Sequence, residues 1–233
     1  MESDKLLGAA VLNNALWCDA VCRSHGFPGN VDSRLWVSLD HDLTFYPHVI
    51  TLILEADPSE VTAVAAGRRH AAVKDSFAQF DLAPAGMRLL LEGEWINHVP
   101  IQKGPPDPDL RWSSVTNADE LHVWERSWAQ HNPEDHPVFL PTLLHDARCV
   151  ILQAHQDGRL IAGAIAYTAA NVIGLSNLWG PALPSSHLWI NAIQAVATLD
   201  PHLPIVSYEH GTDLIAAQQA GARPLGPLRV WSR

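Results

Sequence analysis

The stretch that decides the fold is Arg148–Trp231, RCVILQAHQDGRLIAGAIAYTAANVIGLSNLWGPALPSSHLWINAIQAVATLDPHLPIVSYEHGTDLIAAQQAGARPLGPLRVW. Cys149–Ala154 is a short apolar run, Gln156-Asp157-Gly158 reads as a turn, and Leu160–Thr168 and Val172–Leu178 are further apolar runs broken near Asn171. These three runs predict a meander of strands. The period then changes, because Leu188, Ala192 and Val196 fall on one helical face with Trp189, Ile193 and Ala197 beside them. Pro204–Ser207 reads as a buried strand, Asp213–Ala220 as a short helix ended by Gly221, and Pro227–Trp231 as a closing strand. The class is α/β (α+β).

Val172-Ile173-Gly174-Leu175-Ser176-Asn177 stands as the central strand of this stretch, Ile205-Val206-Ser207-Tyr208-Glu209 as the next strand, and Ala217–Ala222 (AQQAGA) as a helix end. In that order, over roughly residues 112–231, they resemble the GNAT superfamily of N-acetyltransferases. The resemblance implies a mixed sheet flanked by helices. It departs from the family pattern just after the central strand, where Gly180-Pro181-Ala182-Leu183-Pro184-Ser185-Ser186 stands in place of a Gly-rich phosphate loop.

Bulk properties narrow the function classes. With 233 residues and 47% hydrophobic composition, the chain can bury a sizeable core as one large domain or two small ones. The net charge is -10 and both halves are acidic, which disfavours nucleic acid as a partner. The N-terminus lacks a basic region followed by an apolar core, and no stretch approaches the length of a membrane span, so a cytoplasmic protein without membrane contact is expected. Three cysteines give no disulfide framework. Cys18 and Cys22 are one helical turn apart but supply only two ligands, so packing is expected rather than a metal site. The histidines are scattered, and His41 with His48, and His131 with His136, read as solvated loop residues.

Upstream, Leu7, Ala10, Val11, Trp17, Cys18 and Val21 share one stripe of a helix over residues 4–24. Asn14 falls inside that stripe and needs partners to offset its desolvation, either a neighbouring loop that it brackets or a ligand. Leu35–Leu39 and Val49–Leu54 read as strands, Asp57-Pro58 as a helix start, and Ala72–Ala78 and Met87–Ile96 as further strands. Set against the deciding stretch, this part looks like a worn copy. Val49-Ile50-Thr51-Leu52 parallels Val172-Ile173-Gly174-Leu175, Val73 parallels Val206, Trp95 parallels Trp231, and the opening helix parallels 118–130 with its Leu121, Trp124 and Trp128. The expectation is two tandem GNAT-like units, a shortened one at 1–102 and a fuller one at 111–233, joined by a linker at 103–110 rich in Gly and Pro.

The resemblance implies acetyl-CoA or another acyl-CoA as cosubstrate and a small-molecule amine as acceptor, and it allows a homodimer. The pantetheine arm would run between the central and following strands, along Leu175, Ser176 and Asn177, with a pyrophosphate on the amides of Ser185, Ser186 and His187 at the start of the next helix. Plain helix capping by Ser185 or Ser186 is the alternative. Amine acylation needs a base, and Tyr208, Glu209 and His210 cluster at the carboxyl end of a strand, with Glu209 the best base candidate and His210 a substitute or relay. Turn and cap chemistry is the other reading of that cluster. Where many family members carry a proton-donating tyrosine this chain has Ala217, leaving Tyr208 as a stand-in. Most of the nine tryptophans read as core, but Trp179, just after the central strand, is placed to line a substrate pocket or plug the cofactor channel. The other function class is a GNAT-fold ligand-binding or assembly module that does not use the cofactor.

Overall fold

The computed structural model describes residues 2–39, 43–68, 70–98, 110–129, 136–181 and 185–233. In chain order its elements are α1 Glu2–Ser24, β1 Gly29–Val31, β2 Leu35–Ser38, β3 Val49–Thr51, α2 Pro58–Ala66, β4 Ala72–Asp75, β5 Arg88–His98, β6 Arg111–Ser114, α3 Ala118–Ala129, β7 Cys149–Gln156, β8 Arg159–Ala169, β9 Val172–Trp179, α4 Ser185–Ala197, β10 Ile205–Glu209, α5 Gly211–Gln219 and β11 Arg223–Ser232. Local chemistry sets several ends. Asp57 caps α2 by accepting from the Ser59 N–H at 2.8 Å, with Pro58 in the first turn. Asp157 and Gly158 take φ of 51° and 75°, the left-handed pair that a tight hairpin between β7 and β8 requires. Neither β1 nor β6 was expected from the sequence. They form the two outer edges of the sheet, where a short polar segment needs a partner on one side only.

All of these strands belong to one sheet in the order β1-β2-β3-β4-β11-β5-β10-β9-β8-β7-β6. Two neighbouring pairs are parallel, β3 with β4 (Val49↔Val73, Ile50↔Lys74) and β9 with β10 (Ile173↔Ile205, Gly174↔Val206). These registers match Val49 to Ile173 and Val73 to Ile205, one residue away from the pairing expected from the sequence. The two halves of the chain interlock at the centre. β11 lies between β4 and β5, and β5 between β11 and β10, so the last strand of each half pairs with the last but one of the other. Apart from Leu110, the linker expected at 103–110 lies outside the described residues, as do His41 and His131.

Strand alternation divides the core between two faces. On β10, Val206 packs with Ala10 and Val11 of α1, whereas Ile205 packs with Trp189 and Ile193 of α4. Helix α3 shares the α1 face, where Trp124 stacks edge-on against Phe139 and donates from Nε1 to the Leu152 carbonyl at 2.8 Å. Its Glu125 is buried and accepts from the N–H groups of Val138 and Phe139. His48 is buried rather than solvated, with Nδ1 accepting from the Ala72 N–H at 3.2 Å, because it packs where β4 begins.

The bracket expected of Asn14 belongs to its neighbour. Asn13 is 2% exposed, and its Nδ2 meets the carbonyls of Tyr167, Ala169 and Val172 at 2.8, 3.2 and 3.3 Å, tying α1 to the β8–β9 turn. Gly174 makes the approach feasible, since a Cβ there would collide with Asn13 Oδ1. Asn13→Ala strips a donor from buried carbonyls and is expected to cost about 1–3 kcal/mol, read as a lower midpoint in urea and faster amide exchange at residues 168–173. An Asn13→Ala protein as stable as the wild type would show that the bracket contributes nothing.

Candidate functional site

The feature that makes a site is an unfinished ladder. β9 and β10 pair only through Ile173–Ile205 and Gly174–Val206, although β9 continues to Trp179 and β10 to Glu209. The Ile173 N–H donates to the Pro204 carbonyl at 2.9 Å; by alternation Leu175 is the next residue whose amide faces β10, and there the ladder has already ended. A bulge provides the divergence. Opposite Gly163–Ile165 of β8, β9 spends one extra residue between Ser176 and Trp179, and Asn177 takes φ of 51°. An inserted residue bends and twists the strand that carries it.

The gap opens into a cleft of about 310 Å³ between the sheet and α1. Of the residues singled out from the sequence, Asn14, Leu175, Ser176, Asn177, Tyr208, Glu209 and His210 line it together. Trp179 does not. It is 7% exposed and packs in the core against Trp124, ring centroids 5.8 Å apart, because it follows the bulge and turns inward over Gly163. Ser185, Ser186 and His187 form the first turn of α4 and are not part of the cleft wall; Ala182–Pro184 before them lie outside the described residues. Ala217 is fully buried among the apolar residues under α4 and α5.

Sequence reading missed several wall residues. Lys74 of β4 is 3% exposed, donates from Nζ to Asn14 Oδ1 at 2.7 Å, and stands 4.2 Å from the centre of the Tyr208 ring. A lysine inside a strand that otherwise reads as buried was the available signal. Tyr46 and Trp17 add aromatic wall, and Trp95 meets Tyr208 edge-on at 5.3 Å. A second cavity of about 790 Å³ shares Phe45, Tyr46, Lys74, Leu91 and Tyr208 with the first, so the Lys74–Tyr208 contact stands between the two spaces.

The electrostatics of the cleft are unusual for a carboxylate. Burial pushes Glu209 up to about 8, with the nearby charge of Asp213 acting in the same direction. Gly93 lets β5 approach the backbone of β10 here, since a Cβ there would come within 2.9 Å of the Glu209 carbonyl oxygen. Behind the cleft, His98 of β5 is bonded through Nε2 to Ser207 Oγ at 2.8 Å and stacks on Trp189, and burial lowers its pKa to about 3. It is therefore a neutral ring at any working pH. Burial likewise raises the thiols of Cys18, Cys22 and Cys149, all three of them buried and outside any disulfide. Among the described residues, no group of three or more His, Cys, Asp or Glu side chains is placed to hold a metal, and no helix is long and apolar enough to cross a membrane.

The corresponding position in the first half of the chain is closed. β3 and β4 also stop pairing after two residues, but the Ser76 N–H then donates to Thr51 Oγ1 at 2.8 Å and the Ser76 carbonyl accepts from Trp95 Nε1 at 2.9 Å. Thr51 and Ser76 are both buried. Both backbone groups of Ser76 are thus satisfied internally where the strands diverge.

No protein-family model and no curated protein matches the sequence. Solved structures do match in fold. A GCN5-related N-acetyltransferase from Kribbella flavida superposes with a TM-score of 0.63 at 13% identity, covering 96% of this chain and 95% of the other. A conserved protein of unknown function from Staphylococcus epidermidis gives 0.60 at 11% identity over 88% and 92%, and a GCN5-related N-acetyltransferase-like protein from Streptococcus suis 0.51 at 12% over 89% and 88%. At these identities the likeness concerns backbone architecture. The mixed sheet, its helices on both faces and the parted parallel pair β9–β10 give this chain the GNAT fold.

Proposed function

We propose that the protein is an N-acyltransferase that moves an acetyl or other acyl group from acyl-CoA to a small-molecule amine. The observation that carries this reading is the opening between Leu175–Asn177 and Ser207–Glu209, where the ladder has ended and both strand edges line the cleft. An amide-bearing arm such as pantetheine can complete a strand edge of this kind. Ser185, Ser186 and His187, in the first turn of α4, offer helix-end amides to a phosphate. We propose further that the chain is two GNAT-like units, 1–102 and 111–233, and that only the second keeps an open slot.

In this scheme Glu209 takes a proton from the acceptor ammonium, directly or through His210 and a water, while Ser176 and Asn177 orient the amine. The nitrogen lone pair attacks the thioester carbonyl, a C–N bond forms and the C–S bond breaks. Tyr208 on the cleft wall returns a proton to the departing thiolate. Burial of Glu209 suits this role, because a carboxylate with a raised pKa is a stronger base once ionised. The competing reading is a GNAT-fold binding or assembly module. It draws on Gly180, where a Cβ would press on Leu188 and Ala162, on Pro181 after it, and on the burial of Ala217, none of which supplies a phosphate loop or a proton donor.

Acetyl-CoA at about a hundredfold excess over its Kd is expected to stabilise the protein by about 2.7 kcal/mol, a rise of roughly 5–10 °C in Tm. No shift at millimolar cofactor would favour the binding module. Glu209→Gln is expected to lower kcat by about 10²–10⁴-fold with cofactor affinity nearly intact, and the wild-type rate to rise with pH through about 8 as Glu209 ionises. An unchanged kcat in the variant would remove Glu209 from the base role. Stability moves the other way. With its folded pKa above the ordinary 4.5, Glu209 contributes fully below that pH and progressively less as pH rises through about 8. The Tm of Glu209→Gln relative to wild type should therefore climb between about pH 5 and pH 9, and a constant difference would contradict the raised pKa.

A further inference from the structure

Lys74 has no charged partner among the described residues. The ion pairs given by those residues are built on Arg23, Arg34, Arg148 and Arg229. An ammonium carries three N–H donors, and here one reaches the neutral amide oxygen of Asn14 at 2.7 Å while the Tyr208 ring faces the group at 4.2 Å. Neither carries a formal charge. Asp75, next along β4, points to the opposite face and is committed to the N–H groups of Phe77 and Phe80 at 3.4 and 2.7 Å. Glu209 shares the cleft, but its raised pKa leaves it mostly protonated near neutral pH. A cation that is 3% exposed and faces a cavity without an anion is costly unless something binds there.

We propose that Lys74, braced by Asn14, is the seat of a substrate carboxylate. Lys74 Nζ offers its remaining donors, and Asn14, whose Oδ1 is taken by Lys74, offers Nδ2 to the second carboxylate oxygen. The wall beside this seat is aromatic, with Trp17, Tyr46 and Trp95, and suits an apolar substrate body. Two sources share this chemistry: an acceptor of the amino-acid type, or an acyl chain that ends in a carboxylate. The inference names the substrate class of the reaction proposed above and rests on it for turnover, though not for binding.

The test uses the full chain and paired probes. L-Phenylalanine is compared with 2-phenylethylamine, which lacks only the carboxylate, and succinyl-CoA with acetyl-CoA. Calorimetry should give at least about tenfold tighter binding for the carboxylated member of one pair, and Lys74→Met should collapse that ratio toward one. Asn14→Asp supplies Lys74 with an internal carboxylate and should collapse it too, with a thermal melt checking that each variant folds. A kcat/KM preference for L-phenylalanine that Lys74→Met removes assigns the seat to the acceptor, and one for succinyl-CoA assigns it to the acyl chain. Equal handling within both pairs, with acetyl-CoA still turned over, overturns the carboxylate seat and leaves acyl transfer standing. A carboxylate preference in binding, lost in Lys74→Met, with no transfer to any amine, upholds the seat and removes the reaction.

Discussion

Two neighbouring parallel strands that stop hydrogen-bonding to each other partway along their length are the constraint on which this structure turns. Backbone N–H and C=O groups left without partners inside a protein are expensive, so a parted pair persists only where something else holds the strands in place. Here the bulge at Asn177 bends β9 away, and Asn13 pins the preceding turn to α1 through three carbonyls. Gly174 is the point at which the helix amide and the strand come close enough for this. The opening is thus built into the covalent sequence of β9 and α1, rather than being a gap left by poor packing.

The contrast within the chain makes the point physically. Between β3 and β4 the pairing also stops after two residues, but a threonine hydroxyl and a tryptophan indole satisfy the Ser76 backbone. One sheet therefore holds two parallel pairs that each part after two residues. The first half of the chain also shapes the cleft at β9–β10, because its β4 and β5 supply Lys74, Leu91 and Trp95 to the wall. Exchange of the last strands is what brings them there, since β5 pairs with β10 along Trp95↔Tyr208.

Charge in the cleft follows from burial. A glutamate pushed up to about 8 is mostly neutral near pH 7, whereas Lys74 of the same cleft lies against a tyrosine ring with an amide as its bonded partner. Lys74 lies inside β4, where strand alternation fixes the face to which it points and burial keeps it from water. The neutral His98–Ser207 pair behind them keeps the far side of β10 polar without adding charge.

Much of this was legible in the amino-acid sequence because it depends on local periodicity. The stripe of α1, the three-strand meander, the cap at Asp57, the Asp157-Gly158 turn and the cluster Tyr208-Glu209-His210 at a strand end are all fixed by residues within a few positions of one another. Side-chain neighbours across the sheet were not legible, because register and strand exchange couple positions far apart in the chain and a shift of one residue reverses every side chain. So Asn13 rather than Asn14 became the bracket, Trp179 turned into the core, and Lys74 reached the cleft from more than 130 residues before Glu209. Local pattern determined the elements and the chemistry at their ends; only the tertiary fold, by choosing which distant strands lie side by side, decided which of those groups share a cavity.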